Sequence, residues 1–267
     1  MKCNICGFVN MDYYFSKEYQ DETICNILPK AEYYRCPHCG FVYCKTLAQM
    51  PVLQWEQLNY FFHSTLERVS RKTLLDQPPY IHHIQMLHIL SENKIISLDN
   101  ALDFAAGYGN MVRLLKKYYN KSLLLYDPYM QQNDGEVEYI EDKDLGKYDL
   151  VFSSAFFEHS IKREYLDKVN SLVSPNGTMM IYTYISDAVP CDPNWFYLDP
   201  VHCSFHTRKS MEILMKQWGY TSSLYCIPAE TWCIFKSAPA NIKNVVEQIN
   251  SEFQQRYLLY DSGFVFP

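Results

Sequence analysis

The sequence has no apolar run that approaches the roughly 20 residues needed to cross a bilayer. Its first ten residues, MKCNICGFVN, also lack the uninterrupted apolar stretch of a secretory signal peptide. Hydrophobic residues make up 48% of the chain and charged residues 20%, a balance typical of globular proteins. We therefore expect a soluble cytoplasmic protein without a membrane partner.

An excess of positive charge is missing as well. The formal net charge is −6 over 267 residues, and residues 1–50 carry five Lys or Arg against five Asp or Glu. Proteins that bind nucleic acids usually present a basic field that attracts phosphates. The charge therefore argues against a nucleic-acid partner and favours small substrates over polymers.

The ten cysteines are concentrated at the N-terminus, where six lie within the first 44 residues. The motifs CNICG and CPHCG, which start at Cys3 and Cys36, repeat one pattern, C-x-x-C-G. A C-x-x-C turn directs two thiolates to one centre, and the following glycine permits the tight turn that lets backbone N–H groups face the sulfurs. Without a secretion signal, metal binding is favoured over disulfides. We expect a structural zinc at Cys3, Cys6, Cys36 and Cys39, with a redox pair or a chance spacing as alternatives.

After residue 100 the pattern alternates between strands and helices. Apolar runs such as ALDFA, SLLLYD, VEYIED and YDLVFSSA are separated by helical stretches such as NMVRLLKKYY and IKREYLDKVNSLV. This alternation predicts an α/β fold with a doubly wound, mostly parallel sheet, whose ligands bind at the carboxyl ends of the strands. The late segments TSSLYCI and TWCIFKS predict an antiparallel hairpin at one edge.

These patterns predict four regions along the chain. They are a zinc-ribbon module at 1–50, a helical connector at 51–95, the α/β domain at 96–236, and a C-terminal helix and tail at 237–267. The connector contains the periodic segments LERVSRKTLL and YIHHIQMLHIL, which Pro78 and Pro79 interrupt. In the tail, Ile242, Val245, Ile249 and Phe253 recur at helical spacing.

The first strand of the α/β region runs into a glycine-containing loop, ALDFAAGYGNM. Glycine lets a backbone approach a ligand closely, because it has no Cβ and can adopt a positive φ. The dinucleotide-binding fingerprint requires a third glycine three residues after Gly109, where Val112 stands. The loop therefore disfavours an NAD-dependent oxidoreductase and favours a nucleotide without a pyrophosphate.

Polar residues follow the next three strands. Asp127, eighteen residues after Gly109, ends the second strand, where a carboxylate can accept hydrogen bonds from both hydroxyls of a ribose. Glu141 and Asp142 end the third strand, where they are placed to meet an adenine amino group. The fourth strand ends in SSAFFEH, with Ser153, Glu158 and His159 at the same cleft. Together these residues suit adenine, ribose and a group carried in place of phosphates.

These motifs resemble the class I S-adenosylmethionine-dependent methyltransferases. DFAAGYG matches their D/E-x-G-x-G-x-G motif except at Ala105, and LYD, YDLVFSSAFFEH and VSPNGTMMIYT are similar to their second, fourth and fifth strands. The resemblance spans roughly Leu98 to Lys236 and implies a seven-stranded Rossmann-like sheet that binds S-adenosylmethionine. It implies cofactor contacts at Asp103, Ala105, Gly107, Gly109, Asp127, Glu141, Asp142, Ser153 and Glu158.

A narrower resemblance joins the two halves of the chain. A double C-x-x-C-G module before such a domain, with EH after strand four and PVHCSFHTRKSMEILMKQWGY before the last helix, is similar to zinc-ribbon methyltransferases of sugar, nucleotide-sugar and secondary-metabolite pathways. Phe156 and Phe157 stand where the nucleotide-sugar C-methyltransferases often carry a tyrosine, and the chain is too short for their further C-terminal domain. These departures favour O- or N-methyl transfer.

A neutral hydroxyl acceptor has to lose a proton, and imidazole titrates near neutrality. The candidate bases are His159, His202 and His206, and for each the alternative is a structural role. We expect methyl transfer to a hydroxyl of a sugar, nucleotide-sugar or related metabolite, in surface-polysaccharide or secondary-metabolite biosynthesis. The alternatives are an RNA-base methyltransferase whose zinc ribbon grips the RNA, and a non-catalytic binding module.

Overall fold

A computed structural model of the protein describes residues 1–66, 78–129 and 135–267. The chain divides into two compact units, each made of three segments. Unit 1 comprises the described parts of Met1–Thr73, with Phe157–Leu166 and Tyr184–Leu214. Unit 2 comprises the described parts of Leu74–Phe156, with Asp167–Thr183 and Met215–Pro267.

Unit 1 contains a five-stranded sheet, with strands numbered along the chain. Its order is β1 (Asp12–Glu18), β2 (Lys30–Arg35), β3 (Val42–Cys44), β9 (Ser204–Thr207) and β8 (Ile185–Ser186). The first four strands pair antiparallel, and β8 pairs parallel to β9. Its helical segments before residue 67 are α1 (Glu22–Ile27), α2 (Lys45–Ala48), α3 (Val52–Phe61) and the π-helical turn Phe62–Leu66.

Aromatic side chains form much of the core of unit 1. The ring of Tyr33 lies 4.8 Å from that of Phe15 and 5.9 Å from that of Phe205, between centroids. Trp195 contacts Phe205 in turn, at 5.2 Å. Because Phe205 and Trp195 come from late segments, the tyrosine-rich N-terminal region has a core to which residues far along the chain contribute.

Unit 2 contains a seven-stranded sheet. Its order is β12 (Leu258–Asp261), β10 (Ser222–Cys226), β11 (Thr231–Phe235), β7 (Val173–Tyr182), β6 (Tyr148–Ser154), β4 (Ala101–Phe104) and β5 (Leu124–Tyr126). The strands β5, β4, β6 and β7 are parallel, and the other three pairings are antiparallel. The predicted α/β fold with a seven-stranded sheet is therefore confirmed.

The helices of unit 2 follow the apolar periodicity. They are α4 (Tyr80–Glu92), α5 (Asn110–Tyr119) and α8 (Ile242–Glu252). Two further helices, α6 (Arg163–Leu172) and α7 (Arg208–Gln217), have residues in both units. Val112, where the dinucleotide fingerprint has glycine, is fully buried in the core on α5. None of the helices in the described ranges is long and apolar enough to cross a membrane.

The segment VEYIED differs from the sequence prediction. It forms only an isolated parallel bridge between Tyr139 and Leu125 instead of a strand. The bridge has two hydrogen bonds, from the Leu125 amide to the Glu138 carbonyl and from the Ile140 amide to the Leu125 carbonyl. The chain then enters a 3₁₀ turn, Asp142–Asp144, which prevents the pairing from extending. The part of the predicted LERVSRKTLL helix beyond residue 66 lies outside the described residues.

The predicted C-terminal helix ends before Phe253, and the following residues form β12. The antiparallel hairpin β10–β11 is present, but β12 pairs with β10 and takes the edge position. The side chain of Asn250 accounts for the turn. Its Oδ1 accepts hydrogen bonds from the amides of Tyr257 and Leu258, at 2.9 and 2.8 Å, and its Nδ2 donates to the Leu258 carbonyl at 2.8 Å.

We expect Asn250→Ala to lower the free energy of unfolding by about 2 kcal/mol, because three hydrogen bonds to the backbone are lost. Urea denaturation measures the change. The control is Gln248→Ala, which removes an exposed side chain that donates a hydrogen bond to the Glu252 carboxylate. Equal stabilities of the two variants would contradict the role assigned to Asn250.

Candidate functional site

In unit 2, the loop after β4 is bonded to the end of β5. The Gly107 amide donates a hydrogen bond to Asp127 Oδ2, and the Tyr129 amide donates to Oδ1, both at 2.9 Å. The Ala106 amide donates to the Tyr126 carbonyl at 3.1 Å. Asp127 is buried, with 7% of its surface exposed. Both oxygens of this carboxylate are thereby held in place, and an ionised carboxylate can accept more than one hydrogen bond at each oxygen.

The two glycines of this loop have different surroundings, although both adopt a left-handed conformation, with φ of +54° at Gly107 and +68° at Gly109. A Cβ on Gly109 would lie 2.6 Å from Leu125 Cδ1 and 3.2 Å from the Tyr139 hydroxyl. A Cβ on Gly107 would have no neighbour within 4 Å among the described residues. Gly109 is thus required by packing, whereas Gly107 leaves open space where a ligand can approach the backbone.

Ala105 also has a positive φ, of 60°. Such a conformation costs an alanine about 1 kcal/mol more than a glycine, because the Cβ approaches the backbone. This residue stands at the first glycine position of the motif that the sequence resembles. The loop therefore keeps the backbone course that glycine would favour, at the cost of local strain.

Asp103 lies on β4 and is 3% exposed. Burial, and secondarily the negative charge of Asp127, raise the pKa of Asp103 to about 8. At neutral pH this carboxyl is therefore mostly protonated and can donate a hydrogen bond. Two neighbouring strands thus carry carboxyl groups with different roles. Asp103 on β4 can donate a hydrogen bond, and Asp127 after β5 accepts hydrogen bonds.

The other predicted cofactor residues of unit 2 lie in different environments. Asp142 is exposed, accepts a hydrogen bond from the Tyr126 hydroxyl at 2.8 Å, and forms an ion pair with Lys168. The Lys168 hydrogen bond, and then that of Tyr126, lower the pKa of Asp142. Glu141 is exposed and pairs with Lys143 at 2.6 Å. Ser153 is the last residue but one of β6 and is fully buried, and its hydroxyl has no hydrogen-bond partner in the described part of the chain.

In unit 1, three predicted site residues come together. Glu158, His159 and His202, here called the Glu158 cluster, have ligand-type atoms that all lie within 4.8 Å of one another. Glu158 and His159 belong to the 3₁₀ turn Phe157–His159, which follows β6 in the chain. The Cys203 amide donates to the Glu158 carbonyl at 2.8 Å, which brings His202 to this turn.

His206, the third candidate base, is not a member of that cluster. It lies on β9, is 1% exposed, and its ring contacts those of Phe41 and Phe157, with centroids 5.1 and 5.7 Å away. Burial, and then the charge of Arg163, lower the pKa of His206 to about 3. The ring is therefore neutral at physiological pH, and these surroundings favour a packing role over a role as base.

Tyr197 is a site residue whose role the sequence reasoning did not identify. Its hydroxyl donates to Glu158 Oε1 at 2.8 Å and accepts from the Tyr184 amide at 3.2 Å. Its carbonyl lies 2.8 Å from His202 Nδ1. One tyrosine thus contacts two members of the Glu158 cluster. The only sequence signal was its place in the aromatic run WFY, which fits a core residue equally well.

The four predicted cysteine ligands also meet in unit 1. The Sγ atoms of Cys3 and Cys39 are 3.7 Å apart and those of Cys6 and Cys36 are 3.5 Å apart, with all four within 4.8 Å of one another. Four thiolates around a tetrahedral zinc at about 2.3 Å lie about 3.8 Å from one another. The arrangement fits zinc, and the sulfurs are too far apart for disulfides.

The two C-x-x-C-G turns have the same backbone geometry. In the first, the Cys3 amide donates to the Phe8 carbonyl at 2.9 Å and the Gly7 amide donates to the Cys3 carbonyl at 3.0 Å. In the second, the amide of Cys36 bonds the Phe41 carbonyl at 2.8 Å, and that of Gly40 bonds the Cys36 carbonyl at 2.9 Å. The sequence repeat is therefore also a repeat of one backbone turn geometry.

Comparison with known proteins gives one family and a shared fold. A family model described as a methyltransferase domain matches residues 55–222, which is more than half of the chain. No curated protein matches the sequence.

One similar solved structure is the plantazolicin methyltransferase BpumL in complex with a monoazolic desmethylPZN analog and SAH. It is 13% identical to this chain, with a TM-score of 0.50. The match covers 81% of this chain and 95% of that chain. The DhpI–SAH complex is 17% identical, covering 68% and 96%, with a TM-score of 0.45. The putative methyltransferase in complex with the Haloferax volcanii Trm112 activator is 14% identical, covering 60% and 91%, with a TM-score of 0.42.

We expect Gly109→Ala to lower the free energy of unfolding by about 2–4 kcal/mol, since the new methyl group adds a clash to the strain of the left-handed backbone. Gly107→Ala meets only the strain and costs about 1 kcal/mol. Urea denaturation of both variants separates the two effects. A Gly107→Ala variant as unstable as Gly109→Ala would contradict the open space beside Gly107.

The raised pKa of Asp103 predicts a pH dependence of stability. Below its ordinary pKa of 3.8 the carboxyl is protonated in both the folded and the unfolded chain. Between about pH 4 and about pH 8 only the folded chain keeps the proton, so the contribution of Asp103 to stability falls as the pH rises and levels off above about 8.

We expect Asp103→Asn to remove this contribution, so that the variant gains stability relative to the unchanged protein between about pH 5 and about pH 8. Urea denaturation at several pH values gives the difference, with Asp149→Asn, an exposed position, as the control. Parallel stability profiles for Asp103→Asn and the unchanged protein would disprove the assignment.

Proposed function

Since the chain belongs to the methyltransferase-domain family, we propose that it transfers the methyl group of S-adenosylmethionine to a hydroxyl of a small-molecule acceptor. The observation that carries the proposal is the loop after β4. It combines open space beside Gly107 with a buried carboxylate at Asp127 that the loop amides hold in place. Both features suit a ribose with its hydroxyls turned toward the strand end.

The residues of unit 2 would hold the cofactor as follows. Asp127 accepts hydrogen bonds from the two ribose hydroxyls, and Gly107 lets the ligand approach the backbone. Asp103, protonated at neutral pH, donates a hydrogen bond, and the buried Ser153 hydroxyl provides a further polar group. The exposed Asp142 and Glu141 remain candidates for the adenine amino group, in competition with Lys168 and Lys143.

Bound S-adenosylmethionine supplies a methyl group that the sulfonium has already activated, so the protein itself has to align the acceptor, exclude water and accept a proton. In unit 1 we assign the last task to the Glu158 cluster. A carbonyl oxygen can only accept, so His202 Nδ1 carries a hydrogen toward the Tyr197 carbonyl. When neutral, His202 therefore has its lone pair on Nε2, and His159, with its ring centroid 4.8 Å from that of His202, is the second candidate base.

The acceptor class rests on the resemblance to sugar and metabolite methyltransferases and on the aromatic groups of unit 1. Tyr184, Trp195 and Phe196 surround Tyr197, with ring centroids 5.2 to 6.0 Å from it. Phe196 is 75% exposed. Exposed aromatic faces next to a few fixed polar groups are the composition of a small-molecule site, and they suit a sugar ring or another flat metabolite.

The proposal predicts that S-adenosylmethionine and S-adenosylhomocysteine stabilise the protein against heat, whereas NAD does not. Asp127→Asn should weaken S-adenosylhomocysteine binding at least about tenfold in calorimetry, because a carboxylate that accepts two ribose hydroxyls becomes an amide with one accepting oxygen. Asp149→Asn, on the same unit, is the matched control. Stabilisation by NAD, or unchanged affinity in Asp127→Asn, would overturn the assignment.

A further inference from the structure

We propose that Glu158, His159 and His202 form a metal site in unit 1, in addition to the set of four cysteines, that binds a divalent first-row transition metal such as zinc. Metal binding here does not depend on the proposed methyl transfer.

The distances place the cluster close to coordination geometry. One atom from each of the three side chains lies within 4.8 Å of the other two. Two ligand atoms bound to one ion at about 2.1 Å are at most about 4.2 Å apart. Small side-chain rotations therefore bring the three atoms around one ion.

Hydrogen bonds with Tyr197 orient two of the three ligands. His202 Nδ1 donates to the Tyr197 carbonyl at 2.8 Å, and the Asp199 carboxylate lies 4.0 Å from the same nitrogen. The Tyr197 hydroxyl donates to Glu158 Oε1 at 2.8 Å. Metal-binding histidines commonly give their other ring N–H to a carbonyl or carboxylate, which directs the remaining lone pair to the ion. Because His202 Nδ1 carries the hydrogen, the lone pair on His202 Nε2 is available before any ion binds.

Burial of two of the three ligands favours a positive charge at this cluster. Glu158 is 2% exposed and His202 is 8% exposed. Moving a carboxylate out of water is costly unless donors or a positive charge compensate it. A divalent ion provides that charge, and two imidazoles with one carboxylate suit zinc, iron, cobalt, nickel or manganese.

The backbone around the cluster is pre-organised. The amide of Cys203 bonds the Glu158 carbonyl at 2.8 Å, and the hydroxyl of Ser204 bonds the Ser160 carbonyl at 2.7 Å. These bonds join the 3₁₀ turn to the strand that follows His202, so that the ligands rest on rigid segments. A third imidazole, His63, has its ring 5.4 Å from that of His159.

Three protein ligands leave a position open, in contrast to the four cysteines. A hydroxyl bound at that position would release its proton to solvent water at a lower pH than it would when free in water, because the ion stabilises the alkoxide. The ion would thus promote the deprotonation of the acceptor hydroxyl. Without the ion, an imidazole of the Glu158 cluster would accept that proton. This consequence rests on the proposed function, whereas the binding itself does not.

Calorimetric titration with zinc and metal content per chain test the site in tag-free protein. We expect two zinc ions per chain. Cobalt substitution should distinguish the two sites by their absorption spectra. Thiolate ligands give strong charge-transfer absorption, whereas imidazole and carboxylate ligands give only weak visible bands. Glu158→Gln and His202→Gln should each lower the affinity of the second ion at least about 100-fold, and Tyr197→Phe about tenfold.

The matched control is His82→Gln, which changes an exposed histidine of unit 2 and should keep both ions. Retained cobalt–thiolate bands in the Glu158 and His202 variants would show that unit 1 still folds. If those variants do not fold, the affinity of Tyr197→Phe for the second ion tests the site instead. One ion per chain in the unchanged protein, or two ions in folded Glu158→Gln and His202→Gln, would overturn the proposal. S-adenosylhomocysteine binding, measured on the same samples, reports separately on the proposed function.

Discussion

The hydrogen bond from the Gly107 amide to the Asp127 carboxylate is the interaction on which the proposed cofactor site depends. It joins the loop after β4 to the end of the neighbouring parallel strand β5. To make it, the loop has to turn through left-handed conformations at Ala105, Gly107 and Gly109. The resulting backbone course leaves space at Gly107 and none at Gly109. The ligand space and the orientation of the carboxylate are therefore consequences of one local geometry.

Unit 1 depends on a different constraint, the joining of chain segments that are far apart in sequence. Its sheet continues from β3, beside the second C-x-x-C-G turn, to β9, more than 150 residues later in the chain. The Thr207 hydroxyl donates to the Cys39 carbonyl, and the Tyr43 hydroxyl donates to the Ile161 carbonyl at 3.0 Å. Zinc at the four cysteines would therefore support the same fold that positions the Glu158 cluster.

Local patterns predicted much of this structure from sequence. Most of the strands and helices after residue 100, the loop at Gly107 and Gly109, and the paired cysteine turns each have a short-range signature that needs no tertiary information. The strand β12 was missed because Asn250 ends the helix through its side chain, which apolar periodicity does not register. The contacts of Tyr197 were out of reach because they require Glu158 and His202 to meet across 43 intervening residues.

The exposure of the predicted residues also could not be derived from their spacing. His159 and His206 were both predicted as candidate bases, yet only His159 belongs to the Glu158 cluster, whereas His206 packs against aromatic rings. Asp142 and Asp127 both end predicted strands, but Asp142 is exposed beside Lys168 and Asp127 is buried against loop amides. Burial depends on which segments meet, and a single sequence does not contain that information.

A crystal structure of the protein with S-adenosylhomocysteine would show where the ribose lies. We expect both ribose hydroxyls to lie within hydrogen-bonding distance of the Asp127 carboxylate, with the ligand passing the Gly107 backbone. A nucleoside bound away from Asp127, with a side chain of the protein filling the space at Gly107, would contradict this expectation.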